Sequence, residues 1–171
     1  MQVINCLNLC EILPYLKQHK EIHEIIEEAL TLAGYKTVER IYLGSSFCGK
    51  YFLMQSENDL KEIDEICRQY KMKITLVVPV FSESDLERGK KKIQEILGEY
   101  CEIIDEVTVN DYAMAIYIHE KHKININLGR MFMKDYRDPR YDEYFEIPWK
   151  PKMFTDYLFN LFKTIKSKDV N

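Results

Sequence analysis

The sequence predicts an α/β fold of parallel βαβ units, and three observations carry that prediction. Short β-branched runs alternate with stretches whose apolar residues fall at helical spacing. The segments between consecutive strands are long enough to hold a helix, which parallel strands require because a tight turn cannot join them. One run, "KITLVVPVF" from Lys73 to Phe81, is apolar without alternation, as in strands buried on both faces of a parallel sheet. The chain has 171 residues, 46% hydrophobic and 30% charged, enough for one domain with its own core over residues 1–171. A complete (β/α)₈ barrel takes about 250 residues. Periodicity alone leaves two expectations, a sheet that stays open or one that curls, TIM-barrel-like, into a partial barrel.

"QVINC" is the candidate first strand. Ile22, Ile25, Ile26, Ala29 and Leu30 then make a helical stripe that stops at Gly34, a residue suited to a left-handed helix cap. "RIYLGS" follows as a strand. Ser56 and Asp59 offer a capped start to a helix with Leu60, Ile63, Ile66, Cys67 and Tyr70 on one face. After "KITLVVPVF", Ser84 and Glu87 are the expected cap of a helix carrying Leu86, Ile93, Ile96 and Leu97. "DEVTVND" reads as a strand, Asp111 as the cap of "YAMAIYIHEKH", and "KININLGRMF" as the next strand. Met153, Phe154, Tyr157, Leu158, Leu161, Phe162 and Ile165 form the stripe of an amphipathic closing helix over 150–168, entered through Pro151.

The net charge of −4 argues against a nucleic-acid partner, because phosphate binding is driven by a basic face. No apolar run reaches the ~20 residues that span a bilayer. The first residues lack the basic start and small-residue cleavage site of a signal peptide, so a cytoplasmic protein is expected. Five cysteines, at spacings unlike those of a small disulfide-stapled scaffold, read as reduced thiols.

In a parallel α/β sheet the loops leaving the C-terminal strand ends converge on one face, and sites are built there. That rule selects Ser45, Ser46 and Cys48, then Ser82, then Asn110 and Asp111, then Arg130 and Arg137 as substrate-contacting candidates. Cys6 and Cys10 join them if they lie in the loop after the first strand. Cys48 is flanked by Gly49 and Lys50, which leave it open beside a cation, whereas Cys67 and Cys101 read as packing residues. Asp111 is equally explained as a helix cap, and Arg137 by charge pairing within "KDYRDPRYDEY". His19 with His23 and His119 with His122 stand at spacings that suit a metal, but amid Lys and Glu on what read as solvated helix faces. No phosphate loop, nucleophile elbow, H-E-x-x-H or C-x-x-C is present.

"RIYLGSSFCGKYF" resembles the V-Y-L-G-x-x-x-C-x-[KR] signature of the collagenase-like (U-32) peptidase family, nearest to its accessory members of ubiquinone biosynthesis. "VTVNDYAMAIYIHEKHKININLGR" resembles their passage from a strand ending in N-D through a helix to the next barrel strand. The resemblance covers Glu39 to Arg130, about half the chain. It implies a (β/α)-barrel and, for Cys48, the position of a [4Fe–4S] ligand whose companions lie in a cysteine-rich segment downstream. This chain has no cysteine after Cys101, so Cys48, Cys6 and Cys10 are its candidate metal-ligating thiols for such a cluster. A cluster is held by four thiolates. A complete one is accordingly not expected from this chain alone.

Two functions follow as expectations. One is a peptidase-like barrel domain serving as an accessory or modifying enzyme subunit, without proteolysis of its own, because no activated nucleophile or metal-bound water can be assembled from the spacings. The other is a non-catalytic assembly module, a half-barrel that pairs with itself or with a partner subunit, since a short parallel sheet leaves edges to be covered.

Overall fold

The computed structural model describes residues 4–11, 18, 20–34, 38–130, 160 and 163. Strands β1 (Cys6–Asn8), β2 (Arg40–Gly44), β3 (Lys73–Val78), β4 (Ile104–Val109) and β5 (Asn125–Leu128) form one sheet in sequence order, every neighbouring pair parallel. Helix α1 (Ile22–Ala33) lies between β1 and β2, and α2 (Gly49–Met54) with α3 (Glu57–Tyr70) between β2 and β3. A 3₁₀ turn (Glu83–Asp85) and α4 (Leu86–Glu99) lead to β4, and α5 (Tyr112–Lys121) leads to β5. The α/β class and the parallel βαβ alternation are thus as expected. The closing helix and Arg137 lie outside the described residues, apart from Asn160 and Lys163.

Local chemistry accounts for most boundaries. Gly34 ends α1 at φ +69°, its N–H reaching the Leu30 and Thr31 carbonyls. Ser56 caps α3 by accepting from the Asn58 N–H at 3.1 Å, and Asp111 caps α5 by accepting from Met114 at 2.8 Å. β3 stops at Val78 because Pro79 has no N–H to give the ladder. Three expectations need correction. β1 begins at Cys6, the residue at which the sequence pattern ends its strand. Ser84 is not the cap of α4: its hydroxyl meets Ser82, and Asp85 is the capping residue. Helix α2 stands where the sequence pattern gives only a loop. Six residues form no stable helix alone. Lys92 of α4 holds this one by donating to the Leu53 and Gln55 carbonyls at 2.9 and 2.6 Å, and burial lowers the pKa of its ammonium.

The sheet has two unlike faces. Register places Leu7, Ile41, Leu43, Ile74, Leu76, Val78, Ile104, Val107, Val109, Ile126 and Leu128 on one side, and all of them belong to the apolar core or pack against it. The buried faces of the helices, with Ile22, Ile63, Ile93 and Ile118 wholly enclosed, complete that core. The alternate residues, Cys6, Asn8, Arg40, Tyr42, Thr75, Val77, Glu106, Thr108, Asn125 and Asn127, point the other way, and none of them joins the core cluster. The described helices therefore cover one face of the sheet and leave a largely polar face opposite.

Candidate functional site

The face that none of the described helices covers is organised around Arg40. A register shift between β3 and β4 pairs Ile74 with Ile104 but Thr75 with Glu106, leaving Asp105 as the extra residue of a bulge. Both acidic residues thereby reach the same guanidinium. Arg40 holds Asp105 with a two-pronged pair of bonds at 2.6 and 3.0 Å, donates to Thr75 Oγ1 at 3.0 Å, and lies 3.3 Å from Glu106. Thr75, wholly buried, donates its own hydroxyl proton to a bond with Glu106. The Asp105 bonds raise the pKa of Arg40 further, and burial, with Cys6 and Glu106 nearby, raises that of the Tyr42 phenol. Above this layer, toward the C-terminal strand ends, Gly44, Val77, Thr108 and Asn127 form the next row. None of this network was singled out from sequence except Cys6. Its signal was present as alternation in "NINL" and "RIYLG", which reads as one polar face per strand.

The residues expected at the C-terminal rim do follow the strand ends, but the structure engages them in holding the rim together. Ser45 is fully buried: its hydroxyl donates to Glu11 at 2.8 Å and accepts from the Cys48 N–H at 2.9 Å. The Glu11 carboxylate also accepts from the Ser46 and Phe47 N–H groups, at 2.5 and 3.0 Å, and so ties the end of β1 to the loop after β2. Glu11 does this from a left-handed backbone, φ +64°. Sequence reasoning missed it, for its partners stand 34 to 36 residues away. Cys48 caps α2, its sulfur accepting from the Tyr51 N–H at 3.4 Å. Ser82 bonds Ser84 and Asp85, and Asp111 is the α5 cap. Asn110, 5% exposed, donates to the Val78 carbonyl at 3.1 Å. A Cβ on Gly129 would stand 2.4 Å from its side-chain oxygen, so only glycine lets β5 close against it. Arg130 is exposed at the end of β5.

The three thiols proposed as metal ligands differ in setting, Cys6 and Cys48 exposed and Cys10 buried. Cys6 lies on β1 itself, exposed, rather than in the loop beyond it. Cys10 is buried, and its thiol is pushed up to about 12 by burial, so it is a poor source of thiolate. Among the described residues, no group of three or more His, Cys, Asp or Glu side chains stands close enough to hold a metal ion. Cys101, read as a packing residue, is exposed, while Cys67 is buried with its thiol likewise raised to about 12. In the native protein a thiol reagent should modify Cys6, Cys48 and Cys101 rapidly and leave Cys10 and Cys67 until unfolding. Stopped-flow labelling with mass mapping checks this; equal protection of Cys48 and Cys67 would contradict it.

At the opposite rim a cleft of about 520 Å³ opens beside Cys101, Asp105, Lys121, His122 and Lys123. The Nε2 atoms of His119 and His122 are buried without a hydrogen-bond partner, so these rings do not sit on solvated faces as the sequence suggested. Burial lowers the pKa of His122 from 6.5. A base with a depressed folded pKa contributes stability above its unfolded value and loses it as pH falls. Thermal stability should decline below about pH 6.5, and His122→Asn should decline less. Parallel melting-temperature profiles for the two proteins would contradict this.

Neither a family model nor a solved structure matches the chain. Among the described residues no helix is long and apolar enough to cross a membrane.

Proposed function

We propose that the chain is a barrel-type assembly module: the polar face that the described helices leave uncovered is the interior of a (β/α)-barrel, closed when β5 of one copy pairs with β1 of a second. The observation that carries this reading is the strand order. Five parallel strands in strict sequence order, with the described helices on one face, match the winding of a barrel segment better than that of doubly wound sheets, which reverse order and are covered on both faces. The resemblance of Glu39–Arg130 to the collagenase-like peptidase family supports the same architecture.

The edges support the pairing. β1 presents Cys6 and Asn8 on the polar face and Leu7 on the core face; β5 presents Asn125 and Asn127 on the polar face and Ile126 and Leu128 on the core face. Placed side by side, asparagine meets asparagine and leucine meets isoleucine. Two such joints close a two-fold ring, since a head-to-tail contact that returns on itself is finite. The role that follows is accessory and non-catalytic. Ser45, Cys48, Ser82, Asn110 and Asp111, the side chains a reaction at the rim would need, each already make a bond that holds the rim.

Light scattering on the eluting protein tests the reading. The expected mass is twice the single-chain 20.5 kDa. Asn125→Lys with Asn127→Lys, which sets like charges along the joint, should return the single-chain mass with helical content unchanged. A single-chain mass for the parent protein at every concentration would overturn the reading and mean that the chain covers its own edges.

A further inference from the structure

At the N-terminal end of the sheet β4 begins at Ile104, whereas β5 begins at Asn125, which pairs with Glu106. The first two residues of β4 therefore run past the end of β5, and where the ladder stops the Asn125 side chain donates to the Asp105 carbonyl at 3.3 Å. This step in the sheet leaves the cleft of about 520 Å³, walled by Cys101 on the turn into β4 and by Lys121, Lys123 and Ile124 on the way into β5. Among the described residues neither lysine has an ion-pair partner. Asp105, the one carboxylate on the wall, is already held by Arg40 at 2.6 and 3.0 Å. We infer that this cleft is a binding site for a small organic anion, its charged head set between Lys121 and Lys123 and its apolar part against Ile124.

The placement of charge carries the inference. The chain has a net charge of −4, so two neighbouring cations left unneutralised on the wall of one cleft reverse its field locally. Lys121 alone would be explained by its place in the last turn of α5, where a cation complements the helix dipole. Lys123 would not. The helix is capped at His122, in extended backbone with φ −128° and ψ 136°, and Lys123 lies beyond it. Both lysines are exposed, so they can meet a head group without first being stripped of water in a buried place. Ile124, half-buried against the core, gives the rest of the ligand an apolar contact. At about 30 Å³ per heavy atom the cleft takes at most roughly 17 non-hydrogen atoms, which admits an aryl or short acyl carboxylate or phosphate ester. Its walls all come from one chain, so the site does not rest on the pairing of β5 with β1.

Phenyl phosphate, benzoate, benzyl alcohol and benzylamine share a ring and differ in charge, while inorganic phosphate has the charge without the ring, which makes these five the probes. Amide spectra of isotope-labelled protein locate binding, and the rate at which N-ethylmaleimide modifies Cys101 reads it a second way, with the exposed Cys6 and Cys48 as controls outside the cleft. Phenyl phosphate and benzoate should shift residues 121–125 and slow Cys101 alone among the exposed thiols. Inorganic phosphate should bind several-fold more weakly than phenyl phosphate, and benzyl alcohol and benzylamine should produce neither signal. Lys121→Met with Lys123→Met should weaken phenyl phosphate about tenfold, the factor to which two exposed charge contacts convert. Lys121→Arg with Lys123→Arg, which keeps both charges, should retain binding. No shift over 121–125 with either organic anion would overturn the inference, as would benzylamine bound as tightly as benzoate, inorganic phosphate bound as tightly as phenyl phosphate, or binding unaffected by the methionine pair. Shifts without slowing of Cys101 would place the anion outside the cleft and overturn it equally.

Discussion

Gly44→Ala is expected to cost on the order of 3–5 kcal/mol, enough to unfold a domain of ordinary stability or bring it close to unfolding. Gly44 ends β2 at φ +123°, a backbone that side chains rarely adopt, and a Cβ there would stand 2.2 Å from the Val77 carbonyl oxygen. That oxygen accepts from the Ser45 N–H at 3.0 Å, so it cannot withdraw without releasing the loop that Glu11 and Ser45 hold. Strain and the loss of the rim therefore arrive together. Gly98→Ala is the control. Gly98 is exposed in α4 with nothing within 4 Å of an added Cβ, and alanine there should stabilise by about 0.5–1 kcal/mol. Urea denaturation of the two variants reads the contrast. Equal midpoints would contradict the geometry assigned to the end of β2.

The second large effect belongs to Arg40. Its side chain is 13% exposed and those of Glu106 and Asp105 are 20% and 39% exposed, so Arg40→Met strands two carboxylates that are only partly hydrated. Breaking a fully buried pair costs about 3–5 kcal/mol; discounted for the exposure of Asp105, about 2–3 kcal/mol is expected here. The deficit should narrow in acid, where protonation removes the uncompensated charge. Asp105→Asn with Glu106→Gln in the Arg40→Met background should recover most of it, because neutral amides can hydrogen-bond without a cation. Denaturant titrations of the single and triple variants measure both steps. A triple variant no more stable than Arg40→Met would show that the guanidinium contributes by packing alone.

Much of the frame was legible in the sequence, and the physical reasons divide what was from what was not. Gly34, Ser56 and Asp111 act locally: each satisfies backbone groups within a few residues, so its position in the chain suffices to read it. Helix α2 was hidden because "GKYFLM" is too short to show a helical period and is stabilised from outside by Lys92. Glu11 was hidden for the same reason on a larger scale, since nothing near it in the chain hints at the loop it binds. The described rim residues follow the strand ends in the expected order, by the rule that loops leave a parallel sheet at one end, but their roles were not visible. A loop that must reverse direction consumes the same serines, asparagines and aspartates that a reaction would use. Cys48 illustrates the point: it is open, as its neighbours suggested, and what its sulfur does is cap a helix.

In the proposed assembly β5 of one copy lies beside β1 of another, and a cross-link across that joint tests it most directly. Cys6 on β1 and residue 125 on β5 both face the polar side, yet within one chain they sit at opposite edges of a sheet whose strands are spaced ~4.8 Å apart, a separation on the order of 19 Å. A short bifunctional thiol cross-linker cannot span that within a chain. Applied to Asn125→Cys in a Cys48→Ser, Cys101→Ser background, it should produce covalent dimers joined between residues 6 and 125, identified by peptide mapping and abolished by Cys6→Ser. Dimers absent at every protein concentration, or the same yield after Cys6→Ser, would contradict the pairing of these edges.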